Sequence, residues 1–270
     1  MLFKIIPKYY HQLFSSELLN FPMIEKRADC SKCSLAEGRS PDKRAYLPHL
    51  KCCTFHPFKP NYVLGQILLD KNIPVEVKLR IETKIEELDF AIPIGMLAPL
   101  NFQLDFSKRK AGDFGNRADW LCPYYDTQKN NCGVWDYRTS VCTSFHCLSS
   151  YGKLGFEFWE KLEDFMSYLE MTLMEEILLE LNFTSLQIMD QISFLKPKSY
   201  RNWNKINQNE IALKFWSNVK IDKKFFYKNS FEIIKNLDRK SFLKKMGEQG
   251  KSLEKELLVF LKTNKISFKN

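Results

Sequence analysis

Apolar residues recur at helical spacing through the second half of the chain and only in patches through the first. Trp159, Leu162, Phe165, Met166, Leu169, Leu173, Ile177 and Leu181 fall three or four apart, which places them on one face of a helix. The spacing predicts a helix over 155–182, with Trp159, Leu162, Leu169 and Leu173 buried together. Further helices are expected over 185–194, 207–219, 223–237 and 240–262, the last broken or frayed near Gly247 and Gly250. In the first half, a helix over 61–69 follows Pro60. A second, over 74–88, repeats Val77, Ile81 and Ile85 every four residues. The stretch 91–99 carries two prolines and suits a loop or short extended piece. No segment alternates in the manner of a strand for more than a few residues, so the fold is expected to be mainly α with little β.

Cysteine changes this picture most. All eight lie between Cys30 and Cys147, and the last 123 residues have none. They read Cys30-x2-Cys33, the adjacent pair Cys52-Cys53, then Cys122, Cys132, Cys142 and Cys147. A CxxC step lets two thiolates face one ion, and soft thiolates select zinc, copper(I) or iron–sulfur clusters over hard cations. The expected architecture is an irregular cysteine-rich metal-binding lobe over 1–150, packed on a helical bundle whose basic part spans 151–270. All eight cysteines are candidate metal ligands. Isolated CxxC and CC pairs leave an ion short of four ligands, so Cys30, Cys33, Cys52 and Cys53 are expected to approach Cys122, Cys132, Cys142 and Cys147.

Composition narrows the compartment. Cysteine makes up about 3% of 270 residues, against roughly 8–10% in small disulfide scaffolds, and a chain this long holds a core without cross-links. Lys4, Pro7 and Lys8 stand where a signal peptide would need an unbroken apolar run, and no segment approaches a membrane span. The reading is a cytoplasmic protein with reduced thiols. The net charge of +9 is uneven: residues 196–270 carry 19 Lys or Arg against 7 Asp or Glu, a surplus of +12, and the remainder is −3. Such a tail is first of all a solvated helical surface, and beyond that suits an acidic protein partner or substrate or an anionic lipid. Nucleic acid is a further possibility on charge alone, although no RNP-like, zinc-finger or helix-turn-helix motif supports it.

Around the cysteines the sequence runs Leu121-Cys-Pro-Tyr124, Asn131-Cys-Gly-Val-Trp-Asp-Tyr-Arg138 and Val141-Cys-Thr-Ser-Phe-His-Cys147. This resembles the YkgJ-type cysteine-cluster family, a zinc- or iron-chelating domain also similar to the metal-chelating part of FliB-type flagellin lysine N-methylases. Cys30, Cys33, Cys52 and Cys53 match the family's first block, split here by 18 residues. Cys122-Pro123-Tyr124 match the second, and Cys132, Tyr137, Arg138, Cys142, Phe145 and Cys147 the third, with Thr139 where the family has proline. The resemblance covers residues 30–150. It implies a metal centre and, more loosely, support of protein side-chain modification or electron transfer.

Two adjacent cysteines reach one tetrahedral zinc only if both sulfurs swing to the same side of a peptide unit. They are therefore expected to suit an iron–sulfur cluster, or two neighbouring centres, better, and the cluster is favoured by an aromatic setting of Phe55, Phe58, Tyr124, Tyr125, Trp135 and Phe145 that would shield it. The alternative is structural zinc in an interaction module whose basic helices bind a partner, and a thiol-redox protein is a third reading. Arg138 is the candidate for holding an anionic cofactor or substrate group beside the centre. His49, His56 and His146 are possible ligands, although a histidine beside a cysteine is more often a hydrogen-bond donor behind the ligands. Asp113, Asp119, Asp126 and Asp136 are more often caps and turns than bases. Gly112-Asp-Phe-Gly115 lacks every companion motif of a kinase, and neither a GxGxxG nor a CxxxCxxC element is present. Whether the protein is an enzyme is left open by these motifs.

Overall fold

The structure is a computed structural model that describes residues 1–23, 25–26, 33–36, 46–195 and 206–264. It is mainly helical, with 57% helix and 5% strand. In chain order the helices are α1 (Ser16–Leu19), α2 (Asn61–Leu69), α3 (Val75–Glu86), α4 (Leu100–Ser107), α5 (Ser140–Ser144), α6 (Gly152–Glu180), α7 (Ser185–Ile192), α8 (Gln208–Trp216), α9 (Lys223–Ile234) and α10 (Arg239–Thr263). The strands are two residues each: β1 (Lys59–Pro60), β2 (Ala91–Ile92), β3 (Gly95–Met96), β4 (Tyr125–Asp126) and β5 (Asn131–Cys132). Among the described residues no helix is long and apolar enough to cross a membrane.

Helix starts follow local chemistry. Thr184 and Gln187 form a capping box on α7, and Asn207, Asp222 and Asp238 each accept a backbone N–H at the starts of α8, α9 and α10, satisfying donors that the first turn leaves unpaired. Prolines 60, 74 and 99 stand directly before α2, α3 and α4. Trp159, Leu162, Leu169 and Leu173 are all buried, as the periodicity of α6 requires.

The chain divides into two compact units, each assembled from separated stretches. The first comprises Met1–Ser34, Trp135–Leu173 and Asn236–Asn270; the second comprises Leu35–Val134 and Met174–Lys235. Buried carboxylates organise the first. Glu170 accepts from the Tyr10 hydroxyl, from the Ser140 amide at 2.7 Å and from the Ser140 hydroxyl at 3.0 Å. Glu254 accepts from the Ser15 amide at 3.0 Å and from Arg239 at 2.6 Å.

The second unit is built on β1, β2 and β3, in the order β1-β3-β2, all antiparallel. Around them α2 and α9 cross so closely that a Cβ on Gly65 would lie 2.1 Å from the Tyr227 carbonyl oxygen. Gly65→Ala is therefore expected to cost about 1–3 kcal/mol through overpacking, read as a lowered urea midpoint. An unchanged midpoint would contradict this helix contact.

Candidate metal centre

Four cysteines belong to the second unit, and their backbones are tied together. Lys51, in the left-handed region at φ 53°, turns the chain into Cys52-Cys53. The Cys53 carbonyl accepts the Cys122 amide at 2.8 Å, and the Cys122 carbonyl accepts the Tyr125 amide at 3.1 Å, closing a turn over Pro123-Tyr124. Tyr125 then pairs with Cys132 across the β4–β5 hairpin, where facing Cα atoms stand about 4.5–5.5 Å apart. Four further bonds brace the assembly: the Tyr125 hydroxyl donates to the His49 carbonyl at 2.5 Å, the Lys51 ammonium to the Asn130 carbonyl at 2.9 Å, and Arg80 to the carbonyls of Pro123 and Tyr125 at 2.9 and 3.0 Å.

The seven described cysteines are all free of disulfides; Cys30 lies outside the described residues. The thiols of Cys52 and Cys53 are hydrogen-bonded to each other. That bond and the burial of the sulfur push the Cys52 thiol well above its ordinary range. The two sulfurs of the adjacent pair thus approach each other. Tyr124 and Tyr125 are buried beside them, and the fully buried Lys59 sets its ammonium 5.2 Å from the centre of the Tyr124 ring.

Cys33, Cys142 and Cys147 belong to the first unit. Beside Cys147, the His146 ring stacks on Trp159 at 3.9 Å, and burial holds it down to about 4 against the opposing pull of Glu25. The Glu25 carboxylate accepts from the Ser149 hydroxyl at 2.8 Å, the Ser150 amide at 2.6 Å and the Trp159 indole at 2.7 Å.

Arg138 is buried and donates to the carbonyls of Trp135 at 3.1 Å and Ile5 at 2.8 Å, its guanidinium 3.7 Å from the centre of the Trp135 ring. The aromatic shield is narrower than expected. Trp135 is 48% and Phe145 44% exposed. Trp135 meets Arg138 through one face of its ring, so it has no need of an apolar pocket. Asp126 accepts the Gln128 and Lys129 amides in the β4–β5 turn, Asp113 the Lys110 amide, and Asp119 pairs with Arg117. Three of the four aspartates are turn formers or surface partners.

The donor chemistry fits a soft metal ion, and the backbone brings Cys52-Cys53, Cys122 and Cys132 into one assembly. The side chains are not gathered: among the described residues no three or more His, Cys, Asp or Glu side chains are arranged to hold an ion. No protein-family model, curated protein or solved structure matches the chain.

Of the three histidines named from the sequence as possible ligands, His56 is held in the packing of the second unit. His56 stacks flat on Phe102 at 4.0 Å and its Nε2 donates to the Leu121 carbonyl at 3.0 Å. Burial lowers it from 6.5 to about 4. Its folded value lies below the unfolded one, so the unfolded chain takes up the proton first, and stability is lost as pH falls from 6.5 to about 4. His56→Gln should flatten the stability profile in that window by on the order of 3 kcal/mol at most, measured by urea titration at each pH. An identical profile in the variant would contradict the buried neutral imidazole.

Proposed function

We propose that the protein is a metalloprotein of the YkgJ-like cysteine-cluster type, with Cys52, Cys53, Cys122 and Cys132 holding one thiolate-bound centre. Cys30, Cys33, Cys142 and Cys147 form the second donor set. The observation that carries this reading is the backbone bonding of three cysteine-bearing turns around unbridged thiols. Four sulfurs are what one closed zinc site or one cluster takes. Gathering the thiols is then the work of the ion itself, because metal binding and local ordering are one coupled step.

An iron–sulfur cluster is the first reading, and such a cluster supplies one-electron chemistry. Around it, the buried Tyr124 and Tyr125 would limit water, and the Lys51 ammonium, which acts on the Cys52 thiol, would offset thiolate charge. Electron transfer, or support of protein side-chain modification, are the activities it would serve, with the basic residues of 196–270 meeting an acidic protein partner. Structural zinc is the second reading, favoured by the mutual approach of the Cys52 and Cys53 sulfurs.

Anaerobic purification followed by visible absorbance, metal analysis and acid-labile sulfide assay separates them. The first reading predicts a coloured protein with iron and sulfide in similar amounts, lost in Cys52→Ser and Cys122→Ser. Colourless protein with stoichiometric zinc would transfer the assignment to the second. Metal-free protein with every thiol titratable, under conditions where iron and zinc are supplied, would overturn both.

A further inference from the structure

Helix α10 is two arms joined at Gly247, whose φ of 64° and ψ of −169° lie outside the helical region. The Tyr168 hydroxyl donates to the Met246 carbonyl at 3.0 Å, covering the end of the first arm. In a straight helix residues 239 and 254 would stand about 22 Å apart along the axis, further than two extended side chains reach. Arg239 nevertheless meets Glu254 at 2.6 Å. The second arm therefore folds back toward the first.

Along this fold lies a wide-open surface depression of about 530 Å³, its floor mostly apolar, bordered by Arg239, Leu243 and the exposed Lys240, Lys244 and Lys251. Four of those five residues are cations. Glu254 matches Arg239 and Glu248 matches Lys251, at 2.6 and 2.7 Å. Asp238 is turned to the Ser241 amide at 2.7 Å as the cap of α10. Among the described residues, no carboxylate lies within ion-pair distance of Lys240 or Lys244. The Asp238 carboxylate also acts electrostatically on Lys240, so the four cations face three carboxylates and the lining carries a surplus of one positive charge. Lys240 and Lys244 are also four residues apart, on the same helical face, where like charges repel unless an anion lies between them. The open depression has room for more than a single phosphate.

We propose that this depression binds a soluble oligophosphate, a compact ligand bearing at least two phosphoryl charges. Lys240 and Lys244 grip the phosphoryl oxygens as compact point charges, and Arg239 and Lys251, already oriented by their carboxylates, complete the positive wall. Leu243 gives the ligand an apolar side to rest on. The assignment is independent of the thiolate centre.

Calorimetric titration of the full chain with inorganic pyrophosphate tests it, at low ionic strength and again near physiological salt, since exposed charges are screened. One saturable site is expected. The Lys240→Ala/Lys244→Ala variant should bind about ten-fold or more weakly, as expected for lost charge-assisted hydrogen bonds. Lys262→Ala, which removes a cation of the same helix paired with Glu17, should bind as the parent does. Thermal melts establish that each variant is folded, and Lys244→Ala alone serves if the double variant is not. Absence of saturable binding, an unaffected double variant, or equal weakening by Lys262→Ala would overturn the proposal. So would binding to phosphatidic acid vesicles through these lysines without binding to pyrophosphate, which would make the site a lipid-headgroup site.

Discussion

The second unit depends on satisfying a buried backbone that has almost no sheet to belong to. Ala91, Ile92 and Ile94 are fully buried, yet β2 is two residues long. A buried peptide group without a partner is costly, and here four helices supply the partners. The Trp216 indole of α8 donates to the Ala91 carbonyl at 2.8 Å, and the Tyr227 hydroxyl of α9 to the Ile92 carbonyl at 2.9 Å. The Asn61 amide of α2 donates to the Pro93 carbonyl at 3.2 Å, and Gln191 of α7 accepts the Ile94 amide at 3.1 Å. Each helix is thereby placed by a directional bond as well as by burial. The same scaffold fixes β1, and so the chain that leads into it from Cys52 and Cys53.

The first unit solves the same problem with carboxylates. Glu25, Glu170 and Glu254 each accept from groups far away in sequence. Loss of any of them would strand two or more donors at about 1–3 kcal/mol each where they are buried. Both units are stitched from non-contiguous stretches, which makes point-to-point polar bonds their natural fasteners. Longer strands would have made such fasteners unnecessary.

The helices were legible because burial imposes periodicity. The expectations at 61–69, 74–88, 155–182, 185–194, 207–219 and 223–237 correspond to α2, α3, α6, α7, α8 and α9 within a few residues. α4 was not expected, since Leu100, Phe102, Leu104 and Phe106 are not spaced as one helical face. The helix forms behind Pro99, with Phe102 buried against His56 and Trp120 and with Asp105 accepting the Trp120 indole at 2.7 Å. A break in α10 was legible from Gly247, but a fold-back was not, because its direction is set by tertiary partners such as Tyr168 and Glu254. The roles of Glu25, Glu170 and Glu254 left no local trace, since a carboxylate's distant donors cannot be read from its neighbours. For the cysteines, spacing suggested convergence, whereas the link from Cys53 to Cys122 is a backbone bond that spacing does not encode.

The account turns on whether the segments joined through Cys53, Cys122 and Tyr125 serve to collect sulfur around an ion. X-ray absorption at the edge of whichever metal the anaerobically purified protein retains measures this directly, with Cys132→Ser compared beside it. The account predicts a shell of sulfur scatterers alone, at about 2.3 Å, with one sulfur replaced or the metal lost in the variant. A shell made of nitrogen and oxygen, or one unchanged when Cys132 is replaced, would contradict it.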